Sequence, residues 1–274
     1  MTAADIPAGL RLCRASRWNQ LSRDWEHFLE VNPDGARVLD SEGLVVGTLA
    51  TLRYGPVGWL AMVLVDPSRR QRGLGTTLLA AGLDVLADVE GAALDATPAG
   101  EIMYRTRGFS ELERLSRMSG IAFGDGLAPR SPFVRPMQRT DLSLVAHWDA
   151  EAFGLDRSRL LAFLYAGAPE YAWITLQSDR VAGYCLGRHG FDFEHLGPIV
   201  ARSRAVATDL VSACLAAHAG RAFVVDARRR VPEWIRWLEA IGFRELRPFI
   251  RMGRHAGLHG LPERRFAIAG PEFG

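Results

Sequence analysis

The sequence predicts a mixed α/β protein in which two similar domains follow each other, each a twisted mixed sheet flanked by helices. The first observation is the order of the segments, because strand-like segments form an uninterrupted series and are followed by strands alternating with helices. The second observation is a repeat. Residues Gly108–Met118 recur as Gly242–Met252 with the same nine-residue offset from glycine to arginine, and Leu94–Ala96 has a counterpart in Val225–Ala227. Repetition of a whole unit indicates two domains of similar topology.

The elements of the first half are predicted from apolar periodicity and from turn residues. In chain order they are a strand near Leu10–Arg14, a helix over about Asn19–Glu30, strands at Ala36–Asp40, Leu44–Tyr54 and Trp59–Val65, a helix from the glycines at 73 and 75 to about Asp88, a strand at Ala93–Ala96, a helix at Glu101–Arg107, and a last strand pair through Met118.

The second half repeats this order. Pro232 suits the first position of a helix, where a missing N–H has no consequence. The predicted elements are helices at Asp141–Ala152 and Arg157–Tyr165, strands at Tyr171–Leu176, Val181–Gly187 and Leu196–Val200, a helix at Arg204–Ala219, a strand at Ala222–Val225, a helix at Pro232–Ala240, and a strand at Phe249–Met252.

The boundary between the domains is expected in the Gly- and Pro-rich stretch Gly124–Pro132, which interrupts any regular pattern. We therefore expect domains at residues 1–126 and 132–274.

The segment Val63–Thr76 carries the clearest chemical signal. A hydrophobic strand breaks at Asp66-Pro67, an arginine-rich turn follows, and glycines at 73 and 75 open a helix. We call residues Arg70–Thr76 the glycine turn. Glycine lets a ligand approach the backbone, and the first N–H groups of a helix have no carbonyl partners, so the turn suits a pyrophosphate. The glycine pair alone is equally compatible with an ordinary strand, turn and helix.

The wider context resembles the GCN5-related N-acetyltransferases. Motif A of that family, R/Q-x-x-G-x-G/A, is matched by Arg70, Gly73 and Gly75, with Pro67 and Arg72 at favoured positions. Later family motifs follow in order at Leu94–Gly100, Ile102–Tyr104 and Gly108-Phe109. The whole chain resembles a tandem subgroup with a degenerate second domain and a tail like Phe266–Gly274. The second domain has no glycine pair at its corresponding helix, so one coenzyme site, in the first domain, is expected.

The resemblance implies transfer of an acetyl group from acetyl-CoA to a primary amine by direct attack, with no metal. Tyr104 matches the general acid of the family, and Thr97 falls near the position where the family often has an asparagine. The residues expected to contact the coenzyme are Met62, Val63, Leu64, Val65, Arg70, Gln71, Arg72, Gly73, Leu74, Gly75, Thr76, Thr97 and Tyr104.

The general base is harder to predict, because the strand Trp59–Val65 contains no carboxylate or histidine. Either water relays the proton or the base comes from elsewhere. Asp226, the counterpart of Asp95, is the first candidate, and Glu194 and His195 are the others.

Composition excludes several classes of protein. All 33 basic residues are arginine, so neither a Walker A lysine nor a Schiff-base lysine is available. The net charge of +2 argues against a nucleic-acid partner despite the cluster Arg228–Arg230, and no apolar run predicts a membrane span or a secretory signal. Three scattered cysteines indicate neither zinc nor a disulfide framework, so a cytoplasmic location is expected.

Two functions from different classes remain open. The first is an N-acetyltransferase for a small-molecule amine, with a homodimer left open as its form of assembly. The second is a non-catalytic acyl-CoA-binding or regulatory module, which the missing carboxylate on the transfer strand favours. A dinucleotide-binding unit is disfavoured because the third glycine of its motif is missing.

Overall fold

The computed structural model describes residues 1–122, 129, 131–178, 180–255, 257 and 259–274. These residues form two compact units. Unit 1 contains Met1–Leu112, Arg251–Gly257 and Glu272–Gly274, and unit 2 contains Glu113–Ile250 and Leu258–Pro271. Most of the stretch in which the sequence places the domain junction, residues 123–128 and 130, lies outside the described residues.

Unit 1 is a mixed sheet with helices. Its helices are α1 (Ile6–Ala15), α2 (Ser22–Val31), α3 (Leu74–Val85) and α4 (Pro98–Arg105), and its strands are β1 (Arg37–Ser41), β2 (Leu44–Tyr54), β3 (Val57–Val65) and β4 (Gly91–Ala96). The strands β1, β2 and β3 form an antiparallel meander, and β4 lies parallel to β3. This order confirms the predicted fold class for unit 1.

The chain then passes through β5 (Ser110–Ile121), which begins in unit 1 and continues in unit 2. The remaining elements are β6 (Val134–Pro136), α5 (Leu142–Phe153), α6 (Ser158–Gly167), β7 (Trp173–Gln177), β8 (Arg180–Arg188), β9 (Glu194–Ala201), α7 (Arg204–Ala217), β10 (Ala222–Arg228), α8 (Pro232–Ala240), β11 (Arg244–Arg254) and β12 (Arg265–Ala267). In unit 2 the strand order from β5 onward is β5-β10-β12-β9-β8-β7-β6. None of the described helices combines the length and apolarity of a bilayer span.

Three details of the sequence prediction were wrong. Residues 10–14 form part of α1 and not a strand, because Ile6, Gly9, Leu12 and Cys13 are buried at helical spacing and a proline lies in the first turn. The expected strand pair through Met118 is one long strand, β5. The short strands β6 and β12 were not predicted, since three residues are too few for a period to be visible.

The two repeats exchange their last strands between the units. Arg117 of the first repeat lies in unit 2, where its guanidinium binds Asp226 at 2.7 Å through both Nε and Nη2. Arg251 of the second repeat lies in unit 1 and binds Asp95 in the same bidentate manner, at 2.9 and 2.8 Å. The side chains of both pairs are at most 5% exposed. The repeated arginine and aspartate of the sequence are therefore partners, each across repeats.

A first prediction concerns the free energy of unfolding. Asp226→Ala leaves Arg117 buried without its carboxylate, and breaking such a pair costs about 3–5 kcal/mol. Urea unfolding followed by circular dichroism measures this loss. The matched control is Glu233→Ala, which breaks an exposed pair with Arg236 and is expected to cost at most about 1 kcal/mol. Equal losses in the two variants would contradict a structural role for the Arg117–Asp226 pair.

A second prediction concerns pH. His27 in α2 is buried, and burial together with the positive charge of Arg23 lowers its pKa to about 4. The unfolded chain binds its proton near pH ~6.5. Below that pH the unfolded state gains protons that the folded state does not, so the free energy of unfolding falls by up to about 3 kcal/mol as the pH drops toward 4.

Urea unfolding at pH 7 and at pH 4.5 tests this expectation. His27→Gln should remove much of the loss of stability seen in the parent protein. His147→Gln, at an exposed histidine of α5, serves as the control and should leave the loss unchanged. The same loss in the His27→Gln variant would refute the assignment.

Candidate active site

The two parallel strands of unit 1 separate after a short paired stretch. β3 and β4 pair at three positions, the last of which joins Trp59 to Ala93. Beyond that point no pairing between these strands is found in the described residues. We call the space between Leu60–Val65 and Leu94–Ala96 the unit 1 gap. Both strands therefore offer unpaired edges to a ligand in an extended conformation.

A bulge lies on the β3 side of this gap. Leu49 of β2 faces both Met62 and Val63, because the register shifts between Thr48 and Ala50. Met62 has a φ of 55°, in the left-handed region that an unbranched L-residue rarely adopts. The Thr48 hydroxyl donates a 2.8 Å hydrogen bond to the carbonyl of Met62 and holds this conformation in place. Bulges re-aim backbone groups, which makes this the point where β3 can direct an N–H into the gap.

A short turn at Asp66–Arg69 joins β3 to the glycine turn. The carboxylate of Asp66 accepts hydrogen bonds from the backbone and hydroxyl of Ser68 and from Arg11. These bonds, that from the Ser68 hydroxyl foremost, lower the pKa of Asp66 to about 2. Arg70 then closes the turn by donating to the carbonyl of Val65 at 3.1 Å and to the Ser16 hydroxyl at 3.2 Å. The turn is thus held by its own side chains before any ligand is present.

The helix α3 begins without a capping side chain. Gly73 is its N-cap residue with a φ of 79°, and no cap hydrogen bond is made. The first bond of the helix runs from the N–H of Thr77 to the carbonyl of Gly73, so the N–H groups of Leu74, Gly75 and Thr76 have no partner within the helix. A Cβ at Gly73 would meet nothing within 4 Å, which shows open space at this end. This end of α3 suits an anion of the size of a pyrophosphate.

The other residues that the sequence predicts to contact a coenzyme lie around these two features. Gln71 and Arg72 are exposed in the turn, and Gln71 has a φ of 61°. Thr97 is the N-cap residue of α4, and its backbone carbonyl accepts from the N–H groups of Gly100 and Glu101. Met103 of α4 approaches Gly75, since a Cβ there would lie 3.0 Å from its sulfur. The start of α3 and the helix α4 are therefore neighbours.

Tyr104 lies on that helix with its ring packed edge-on against Phe109. The residue is buried, and burial alone raises the pKa of its phenol well above the ordinary value. No hydrogen bond of its hydroxyl is found among the described residues. Burial thus keeps the phenol of Tyr104 in its neutral, protonated form.

Asp226 lies within the core of unit 2. Its side chain is fully buried and both carboxylate oxygens bind Arg117. Burial by itself raises the pKa of Asp226, but the Arg117 guanidinium and His195 outweigh it and hold that pKa well below its usual range. A carboxylate so engaged has neither the access nor the basicity of a general base, so this geometry does not support our first candidate for the base.

The other two candidates for the base also lie in unit 2. His195 is fully buried, its Nε2 lies 3.2 Å from Asp226, and burial lowers its pKa. Glu194 is bound by His189 at 2.9 Å and by Arg221 at 3.2 Å. Both side chains have structural partners. The structure does not bring them together with the glycine turn within one unit.

Sequence reasoning missed the residues that hold the site in place. Thr48 supports the bulge, Ser16 and Arg11 tie the turn to α1, and Met103 covers Gly75. None of them carries a motif. Only their distance from β3 and the glycine turn in the fold identifies them.

Comparison with known proteins agrees with this geometry. A model described as the acetyltransferase (GNAT) family matches residues 10–109, and a second model, described as an acetyltransferase (GNAT) domain, matches residues 145–266. The chain belongs to the GNAT acetyltransferase family. Its two GNAT domains are in tandem, as the internal repeat predicted, and membership supports acyl transfer as the class of reaction.

Individual relatives are distant. An uncharacterized N-acetyltransferase of Bacillus subtilis, YitH, is 23% identical over 211 residues, which are 77% of this chain and 75% of the relative. A crystal structure of a candidate acetyltransferase from Pyrococcus horikoshii has a TM-score of 0.83 at 20% identity and covers 100% of this chain and 94% of its own. A tandem GNAT protein from the clavulanic acid biosynthesis pathway has a TM-score of 0.64 at 16% identity, over 94% and 98% of the two chains. These two structures show a common fold.

Proposed function

We propose that the chain is an N-acetyltransferase that moves an acetyl group from acetyl-CoA to a primary amine of a small-molecule acceptor. The observation that carries the proposal is the continuity of three features in unit 1. The gap between β3 and β4 leads from the bulge at Met62 to the uncapped start of α3 at Gly73. Coenzyme A carries a pyrophosphate and an extended arm with two amides, and these groups match the helix end and the free strand edges.

The residues of unit 1 have separate tasks in this proposal. The N–H groups of Leu74, Gly75 and Thr76 bind the pyrophosphate, with the positive end of the helix adding about 0.3–1 kcal/mol per charge. Arg70 and Asp66 fix the shape of the turn. The strand residues Met62–Val65 supply backbone groups that orient the thioester for attack.

Bound acetyl-CoA would supply the activated acetyl group. The acceptor amine forms a C–N bond to the acetyl carbon while the C–S bond breaks, and the sulfur leaves as a thiolate. Tyr104 donates its phenolic proton to that sulfur and regains a proton from the nitrogen of the new amide, and burial, which raises the pKa of the phenol, keeps it protonated until the thiolate forms. The ammonium of the acceptor must lose a proton before attack. Because β3 carries no carboxylate or histidine, we assign that proton to water.

A test of the coenzyme site uses two glycines of equal strain. Gly73→Ala places a Cβ at a φ of 79°, which costs an L-residue about 1–2 kcal/mol and shifts the turn. We expect the affinity for acetyl-CoA to fall about tenfold, measured by isothermal titration. Gly43→Ala is the control, because Gly43 has a φ of 82° with open space around it but lies in the β1–β2 turn. Equal affinities of the two variants would contradict the assignment of the turn.

A test of the chemistry uses Tyr104→Phe. Removing a positioned acid is expected to lower kcat by about 10²–10⁴-fold, while the dissociation constant for acetyl-CoA changes by less than about twofold, since only a hydroxyl is lost. Release of the coenzyme thiol is followed over a panel of polyamines, amino acids, aminoglycosides and peptide N-termini. Tyr165→Phe, which removes a hydroxyl in unit 2, is the control. Full activity of the Tyr104→Phe variant would exclude the tyrosine from the mechanism.

The same panel decides between the two classes of function. The lack of a carboxylate or histidine on β3 is the observation that favours a non-catalytic acyl-CoA-binding module. Binding of acetyl-CoA without thiol release for any amine would establish that alternative. Absence of binding would remove both functions.

A further inference from the structure

Unit 2 has a gap of its own between its parallel strands. In the part of the chain that the structure describes, β9 and β10 pair at two positions, Glu194 with Phe223 and His195 with Val224. The strands then separate, as β3 and β4 do after Trp59. We call the space beyond His195 and Val224 the unit 2 gap. It corresponds in the repeat to the gap that we assign to the coenzyme arm in unit 1.

The unit 2 gap is filled by the chain itself. β12 lies between β9 and β10 and pairs antiparallel with both, with Ala267 opposite Ile199 on one side and Ala227 on the other. The N–H of Ile268 adds a 3.1 Å hydrogen bond to the carbonyl of Asp226. Residues Phe266 to Ala269 are at most 4% exposed. An extended segment with backbone amides therefore satisfies both open strand edges at once.

The fit of this segment depends on one glycine. The register of β8 and β9 shifts between Cys185 and Gly187, which leaves the pair Gly197-Pro198 as a bulge at the gap. A Cβ built on Gly197 would lie 2.1 Å from the carbonyl oxygen of Ile268. Because that neighbour is backbone, no side-chain adjustment relieves the clash. Glycine at this position lets the carbonyl of the inserted segment approach the bulge.

The helix that follows β9 also differs from its counterpart in unit 1, because a side chain caps its start. The hydroxyl of Ser203 caps α7 by accepting from the N–H of Val206 at 3.4 Å. The corresponding helix of unit 1 begins at Gly73 with no side-chain cap. The two units thus differ both in the gap between their parallel strands and at the start of the following helix. In unit 2 a strand of the chain occupies the gap and a side chain caps the helix, whereas unit 1 has neither feature in its described residues.

We propose that unit 2 retains a strand-binding slot whose ligand is the chain's own segment Arg265–Ile268, bound in place of a coenzyme arm. The slot accepts an extended peptide through backbone pairing on both edges, and apolar residues occupy it at positions 266–268. The proposal rests on the proposed function only for the identity of the ligand in unit 1. It explains why this tandem protein has a single open site.

The experiment displaces β12 from the slot by mutation and measures binding of a synthetic peptide with the sequence of that segment. Ala267→Pro removes an N–H from the middle of β12 and cannot pair on both sides. The probe is a labelled synthetic peptide of the sequence Glu-Arg-Arg-Phe-Ala-Ile-Ala-Gly, which is residues 263–270. We expect the peptide to bind the folded Ala267→Pro variant and to bind the parent protein at least tenfold more weakly. In the double variant Gly197→Ala/Ala267→Pro the binding should be lost, because the new Cβ blocks the slot.

Hydrogen exchange with mass spectrometry provides a second readout that needs no peptide. Gly197→Ala should expose the amides of residues 265–268 to exchange by at least tenfold in rate. The control is Gly183→Ala, in which the new Cβ meets Val206 and Leu210 of α7 and not β12. This readout decides the proposal if the proline variant fails to fold.

Two results would overturn the proposal. One is unchanged protection of residues 265–268 in the Gly197→Ala variant. The other is a folded Ala267→Pro variant that binds the peptide no better than the parent protein does. Neither result depends on acetyl-CoA, so a failure of the coenzyme titration would count against the function of unit 1 alone.

Discussion

A buried arginine–aspartate pair lies at the start of the gap in each unit, and the rest of each site is arranged around it. Asp95 lies two positions after the last residue of β4 that pairs with β3, and Asp226 lies two positions after the last residue of β10 that pairs with β9. Burying a carboxylate without a cationic partner costs much free energy of folding. The guanidinium groups of Arg251 and Arg117 provide that partner through bidentate hydrogen bonds. The strand that separates from its parallel neighbour is thereby fixed on its other side.

This pairing also accounts for the repeat of Asp95 as Asp226 in the sequence. The repetition corresponds to a repeated structural feature, since each aspartate forms a buried bidentate pair with an arginine. Each aspartate requires an arginine, and each arginine comes from the end of the other repeat. Neither domain can therefore complete its own pair from its own repeat. This requirement gives the tandem arrangement a physical basis beyond the duplication of a fold.

Both units contain a pair of parallel strands that separate, but the space between the strands differs in what occupies it. In unit 1 the separated strands lead to a helix whose first N–H groups have no partner within the helix, and the helix that carries Tyr104 neighbours this helix start through Met103. In unit 2 the separated strands enclose β12, and a serine caps the helix. The substitutions that separate the units are small. In unit 1, Gly73 leaves the start of α3 without a side-chain cap. In unit 2, Gly197 at the bulge lets the carbonyl of Ile268 approach, so that the inserted segment fits the gap.

The sequence by itself determined the fold class, the duplication, the glycine turn and the position of Tyr104, because these features depend on local spacing and on residues that follow each other closely. Periodicity placed most strands and helices, although alternation of apolar residues at 10–14 imitated a strand inside α1. Only the tertiary structure decided that Arg117 partners Asp226 and not Asp95, that Thr48 supports the bulge at Met62, and that a three-residue strand fills the second gap. Each of these contacts joins residues distant in the chain, and their free energy comes from burial and backbone pairing that appear only once the sheet has assembled.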